Sequence, residues 1–250
     1  MPRPKPDPPH AVRVGCAGWS LPREHAGLFP GEGTHLGRYA ERLPAAEINS
    51  SFYRPHRPAT YARWAASVPD DFRFAVKVPK EVTHKLRLAN AGATLARFLS
   101  EATALGTKLG PLLVQLPPSL AFAADVAAPF FVDLRERFDG DVVLEPRHAS
   151  WFESEAERLM TGYRVARAVA DPTVADAVPE PGGWDGLVYY RLHGSPRMYY
   201  SAYPAEYLET LSGKLSAAAR SAAVWCIFDN TAGGAATANA VDLLARVYGR

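Results

Sequence analysis

Short apolar runs recur at residues 12–17, 45–48, 72–78, 112–116, 142–144, 165–170, 187–192 and 224–228, several of them rich in β-branched or aromatic residues. Longer amphipathic stretches at 36–42, 59–67, 93–106, 125–138, 153–162, 205–220 and 235–248 separate most of them, with a less regular connection at 172–186. This rhythm predicts repeated βα units. Eight parallel strands with covering helices are the arithmetic of an α/β fold, a TIM-type (β/α)8-like barrel with irregular connections, rather than of a doubly wound sheet. The first turn, Gly15-Cys-Ala-Gly18-Trp-Ser20, has no G-x-G-x-x-G spacing and no P-loop motif occurs, so dinucleotide and P-loop readings lose their sequence support. Closure makes one demand. The first and last strands must pair and bring the Cys16 and Cys226 segments together.

Composition narrows this picture. A chain of 250 residues, 48% hydrophobic and 22% charged, can bury a large core. Five prolines among the first ten residues mark residues 1–11 as a flexible proline-rich tail, leaving 12–250 as a single barrel domain. The tail lacks the apolar segment of a secretory signal, and no run of about twenty apolar residues spans a bilayer, so a cytoplasmic protein with no membrane partner is expected. A net charge of +2 is too mild to argue for nucleic acid by itself. The two cysteines lie inside apolar runs and read as reduced, buried thiols. Oligomeric state is left open.

Candidate chemistry collects where the runs end. Glu47 and Asn49 close the second run, and Tyr53 and Arg54 follow on the next loop. A carboxylate there suits a general base, a metal ligand or a substrate anchor, or else pairs with an arginine to hold the mouth together. Lys77 interrupts the third run and His84 follows it. The lysine either faces inward, to bind an anion or act as an amine of lowered pKa, or snorkels outward between helices. Gln115 ends the fourth run as a substrate-orienting or merely structural amide. Glu145-Pro-Arg147-His148, followed by Ser150 and Trp151, is the densest constellation, although Ser150 with Glu153 also matches a capping box and Trp151 suits packing. Arg191 and His193 alternate and so share one side of the seventh run. Asp229 and Asn230 close the eighth, ahead of Gly233-Gly234 and the last helix, an arrangement resembling a barrel's phosphate-binding end, except that an aspartate repels phosphate.

Taken in order, Gly18-Trp19-Ser20, Glu47 through Arg54, Phe74 through Lys77, Thr83-His84, Leu112 through Pro118, Glu145 through Trp151, Tyr190 through Gly194 and Asn230 through Ala240 resemble the YecE-like family, domain of unknown function 72. The resemblance runs from about Val12 to Leu244. It implies a TIM-type barrel and no settled reaction. Leu21 stands where the family tends to have an aromatic residue, and Asp229 where it tends to have an asparagine.

Three functions compete. In the first, an enzyme acts on a polar, sugar-like or phosphorylated small molecule, with Glu47 and Glu145 as acid/base groups and His148 or His193 assisting. Trp19, Asn49, Tyr53, Arg54, Lys77, His84, Gln115, Arg147, Trp151, Arg191, Asp229 and Asn230 would then line the substrate. No cofactor is evident, but a divalent metal would suit a second reading, a hydrolase or isomerase resembling sugar-isomerase and abasic-site endonuclease barrels. The third is a non-catalytic nucleic-acid or nucleotide binder using Arg54, Arg57, Arg147 and Arg191 with Trp19, Tyr53 and Trp151.

Overall fold

Seven of the eight apolar runs each become one strand within a few residues of the expected limits, and the sixth becomes two. In a computed structural model, described over residues 11–173 and 180–249, they are β1 (Val12–Ala17), β2 (Ala45–Ile48), β3 (Arg73–Lys77), β4 (Leu109–Gln115), β5 (Val142–Glu145), β6 (Val165–Arg167), β7 (Val169–Asp171), β8 (Gly182–Gly183), β9 (Leu187–Leu192) and β10 (Ala223–Phe228). They form an α/β fold, a largely closed, mixed ten-stranded barrel in the order β7-β9-β10-β1-β2-β3-β4-β5-β6-β8, with helices around it. The expected pairing of first and last strands is present: β1 runs parallel to β10, with Val14 opposite Cys226 and Cys16 opposite Phe228. The proline-rich tail lies outside the described residues apart from Ala11.

The count of ten rather than eight has a local cause. The sixth run divides at Ala168: its first half pairs with β5 and its second half with β9. The free edge of the first half is taken by β8, the one antiparallel pairing among the described residues. Glycine is needed at Gly183, where φ is +67° and a Cβ would sit 2.4 Å from the Val165 carbonyl oxygen, whereas a Cβ at Gly182 would push aside the Arg167 guanidinium. The Gly183 amide donates to Glu157, which also pairs with Arg167.

Strand alternation sorts side chains into two layers. Val12, Val14, Phe74, Val76, Leu112, Val114, Val142 and Leu144 face outward onto the helices. These are α1 (His35–Ala40), α2 (Pro58–Ala66), α3 (Gly92–Ala102), α4 (Ala124–Arg137), α5 (Ser154–Gly162), α6 (Ala205–Ala218) and α7 (Ala235–Val247). Ala45, Ala75, Leu113, Val143, Ala166, Tyr189, Trp225 and Ile227 fill the interior. Small residues on β2, β3 and β6 leave room for the stacked rings of Tyr189 and Trp225, and Gly110 has no Cβ because one would meet the Trp225 ring at 2.7 Å. The lower interior is therefore a packed plug. Among the described residues no helix is long and apolar enough to cross a membrane.

Candidate active site

Because the strands run parallel, inward residues at their carboxyl ends converge. Glu47, Lys77, Glu145 and Arg191 continue the inner face one step beyond Ala45, Ala75, Val143 and Tyr189, and His193 and Asp229 follow the ends of β9 and β10. Local bonds fix each end. The Gly18 amide donates to the Glu47 carbonyl at 2.9 Å, Leu116 to Glu145 at 3.0 Å, His193 to Asp171 at 2.7 Å and Asp229 to Leu192 at 2.7 Å. Ser51, within the Glu47 motif, shares its one hydroxyl proton between Ile48 O at 2.9 Å and Lys77 O at 2.7 Å, tying the ends of β2 and β3 together.

Arg191 is the hub. It is 1% exposed, with Nη2 2.8 Å from Glu47 Oε1, Nε 3.1 Å from Glu47 Oε2, Nη1 3.1 Å from Glu145 Oε2 and Nη2 3.1 Å from Asp229 Oδ2. A planar fork suits this task, because several carboxylates can be met in fixed directions at once. Tyr189 donates its hydroxyl to Glu47 Oε2 at 2.9 Å, which fills the remaining capacity of that carboxylate. Arg147 donates Nε to Glu145 Oε1 at 2.8 Å. Three carboxylates thus face the cations Arg191, Arg147 and Lys77, and opposing charge is what makes such burial tolerable.

His193 bridges two acids. Its Nδ1 lies 3.0 Å from Asp229 Oδ2 and its Nε2 2.9 Å from Glu145 Oε1. Arg147 Nη2 also approaches Nε2 at 2.8 Å. A proton on Nε2 satisfies Glu145, whereas a bare Nε2 satisfies Arg147, so the geometry accommodates either state. Burial pushes the Glu145 carboxyl up, but Arg191, His193 and Arg147 outweigh it and hold the group well below the usual range. Asp229 behaves the same way, raised by burial and lowered further by Arg191 and by the His193 hydrogen bond. Burial would strip Arg191 of its proton, yet Asp229, Glu47 and Glu145 keep it charged.

Lys77 faces inward, 5% exposed, and does not snorkel. Its Nζ sits over the Phe52 ring, 4.2 Å from the centroid, an ordinary cation–π distance. Burial first, then the Arg191 charge, bring its pKa down to about 8, against an opposing pull from Glu47, Glu145 and Asp229. His84 adjoins the same corner, bonded through Nδ1 to Thr83 Oγ1 and edge-on to Phe52. Gln115 is half-buried opposite Glu145 and shares its inner face with Leu113.

Other candidates lie elsewhere. His148 bonds through Nδ1 to Ser150 Oγ at 2.9 Å and accepts the Ser150 amide at 3.2 Å, which caps the short turn before α5. The capping box does not form: Ser150 Oγ takes the Phe122 amide instead, and Glu153 is the N-cap of α5. Trp151 is buried, donating to Leu120 O, and Trp19 packs edge-on against Trp64 and Phe74. Asn230 Nδ2 donates to Ser201 O and Asn239 Oδ1, clamping the last loop onto α7. Asn49 is half-buried and its Oδ1 has no partner among the described residues. Tyr53, 76% exposed, and Arg54 face outward on a cleft of about 120 Å³ that Phe52, Lys80, Lys85 and Arg97 also line. Tyr189 and Phe52 went unnamed by sequence reasoning. The period-2 step from Arg191 back to Tyr189 was the available signal; nothing distinguished Phe52 from the neighbouring Tyr53.

Among the described residues no group of three or more His, Cys, Asp or Glu side chains is placed to hold a metal ion. The permanently charged Arg191 occupies the centre where such an ion would have to sit.

Known proteins share this architecture. A DUF72 family protein from Enterococcus faecalis superposes with a TM-score of 0.80 at 22% identity, covering 95% of each chain. One from Thermotoga maritima gives 0.78 at 23% identity, covering 94% of this chain and 98% of that one. UPF0759 protein YecE from Escherichia coli strain K12 is 28% identical over 170 residues, 67% of this chain and 60% of the relative. The protein of the same name from Escherichia coli O157:H7 is 26% identical over the same extent. Residues 13–249 match the family described as protein of unknown function DUF72, and the chain belongs to that family.

Proposed function

We propose that the protein is an enzyme acting on a small polar, sugar-like or phosphorylated compound by proton transfer through Glu145 and His193. The observation that carries this reading is the bridging of His193 between two carboxylates beside two guanidinium groups. Asp229 orients the ring, and Nε2 shares its proton with Glu145, in the manner of an acid that orients a general base. Glu47, saturated by Arg191 and Tyr189, anchors the hub rather than exchanging protons. Arg147 is half-buried and Lys77 and Asp229, though buried, are the next least enclosed members, so these three meet the substrate first. The barrel itself reads as a TIM-type (β/α)8 barrel whose sixth strand is split, which puts the cluster at the end where such barrels carry chemistry.

A panel of aldose and ketose phosphates incubated in D2O tests it, with proton NMR following exchange beside the carbonyl. Exchange is expected from the wild type and a loss of 100-fold or more, of the size ascribed to general acid–base catalysis, in His193→Asn and Glu145→Gln. Exchange unaffected by both substitutions, or none with any compound, would remove the assignment. The exposed Tyr53 with Arg54, Lys80, Lys85 and Arg97 favours a second reading, a nucleic-acid or nucleotide ligand. That reading demands affinity falling steeply with salt.

A further inference from the structure

Two lysines, one buried and one half-buried, behave differently. Lys108 donates to the carbonyls of Ala65 at 2.8 Å and Val68 at 2.6 Å, with Asp70 at 3.6 Å, so its ammonium is held and its proton is in use. Lys77 is more deeply buried, yet among the described residues its Nζ makes no hydrogen bond or ion pair and its nearest named partner is the Phe52 ring. The surrounding charges reach it from four strands: Glu47 on β2, Glu145 on β5, Arg191 on β9 and Asp229 after β10, with His84 beside it on its own loop. An ammonium placed to hold an anion would be steered by fixed acceptors and kept charged. Lys77 has no fixed acceptor, and burial and the Arg191 charge loosen its proton against the pull of Glu47, Glu145 and Asp229. A sheltered amine that no acceptor holds and that gives up its proton more readily than an ordinary lysine, next to groups that exchange protons, is instead the arrangement of a covalent catalyst.

We propose that Lys77 is a carbonyl-trapping amine, forming a transient imine with an aldehyde or ketone carbon of the substrate. The proposal rests on the acid–base reading above and names the substrate class: a small polar carbonyl compound. The neutral Nζ adds to the carbonyl carbon while the C=O π pair moves onto oxygen. The surplus proton on nitrogen passes to that oxygen, giving a neutral carbinolamine. A further proton, from the Glu145–His193 pair, converts the hydroxyl into water; the nitrogen lone pair expels it and leaves a protonated imine. One carbonyl, one neutral amine and one proton become one iminium and one water, with no oxidant or reductant. Water reverses the sequence. The iminium withdraws electrons from the adjacent carbon, and that is where the acid–base pair acts.

The wild-type protein supplies its own controls. Lys80 and Lys85 lie exposed on the same rim, three and eight residues further on. At pH 7 an amine of pKa about 8 holds roughly two orders of magnitude more neutral form than one of ordinary pKa. The protein is incubated at pH 7 with sodium cyanoborohydride and, in turn, glycolaldehyde, dihydroxyacetone phosphate or pyruvate, then digested and mapped by mass spectrometry. Reduced adduct at Lys77 at least tenfold above Lys80 and Lys85 is expected, and none at position 77 in Lys77→Arg, which keeps a cation in the mouth. Labelling of Lys77 no greater than that of the two exposed lysines, with all three probes, overturns the proposal, and deuterium exchange that still depends on His193 would then leave the acid–base reading intact. Selective labelling of Lys77 without any such exchange upholds the imine and removes that reading instead.

Discussion

The two ends of the barrel use the same cations for opposite purposes. At the end where the strands begin, Arg135 donates Nε to Tyr163 O at 2.7 Å, Nη1 to Phe138 O and Gly140 O, and Nη2 to Arg164 O, stapling the turns before β5 and β6. Arg13 and Lys108 likewise donate to main-chain carbonyls at that end. Where the strands finish, Arg191 meets three carboxylates, and Lys77 meets none directly. Carbonyl oxygens do not titrate at accessible pH, so the hydrogen bonds of the lower cations contribute rigidity, with Asp70 near Lys108 and Asp141 near Arg135 as the titrating neighbours. Carboxylates and an unpaired amine do titrate, so the upper end stores groups whose protonation can change. Chemistry belongs where acceptors can exchange protons.

Substitutions at matched positions break or sharpen this contrast. Arg191→Met leaves three buried carboxylates without their hub and should cost on the order of 3–5 kcal/mol in urea unfolding. A smaller loss than that of Arg135→Met would dissolve the contrast. Lys77→Met should act in the other direction. Lys77 titrates near 8 when folded and near 10.5 when unfolded, so the unfolded chain holds an extra proton between those values and stability of the wild type rises with pH across that window. The substitution is therefore expected to stabilise by up to about 3 kcal/mol at pH 7, with the gain vanishing by about pH 10.5. A gain that is independent of pH would mean that packing, not charge, is responsible.

Arg135→Met should cost about 2 kcal/mol, from loss of hydrogen bonds to a charged donor, and more at neutral pH than in acid, because Arg135 also opposes the upward push of burial on the Asp141 carboxyl. Lys108→Met follows at about 1 kcal/mol, its site being partly wet. Acid should separate the two ends as well. Glu145 and Asp229 titrate lower folded than unfolded, so below about pH 4 the unfolded chain binds more protons and stability falls. Asp229→Asn should flatten that acid limb, as read by urea midpoints from pH 5 down to 3. An unaltered limb would assign the acid sensitivity to other carboxyls.

Much of the architecture was legible in advance because strand signals are local. Apolar runs of three to seven residues and helical periodicity placed every long strand and every α-helix. Two elements escaped. The sixth run looked continuous because a change of hydrogen-bonding partner at Ala168 leaves no trace in hydrophobicity, and β8 is two glycines whose pairing depends on Arg167 and Glu157. At the site, Glu145, Arg191 and His193 share one cluster, as polar groups ending apolar runs suggested. His148 and Trp151 belong to the same motif as Glu145 but turn away, because the chain leaves the strand at Pro146 and side-chain direction past a strand end no longer follows alternation.

The sequence by itself determined the order of strands and helices, the parallel closure of first on last, and which residues stand at strand ends. These depend on periodicity and burial, which neighbours in the chain encode. Only the tertiary structure decided that Arg191 is shared among Glu47, Glu145 and Asp229, that His193 rather than His148 joins them, and that Lys77 lies over Phe52 with its amine unpaired. Charges interact through space, and partners up to 144 positions apart can be chosen only once the barrel has closed around them.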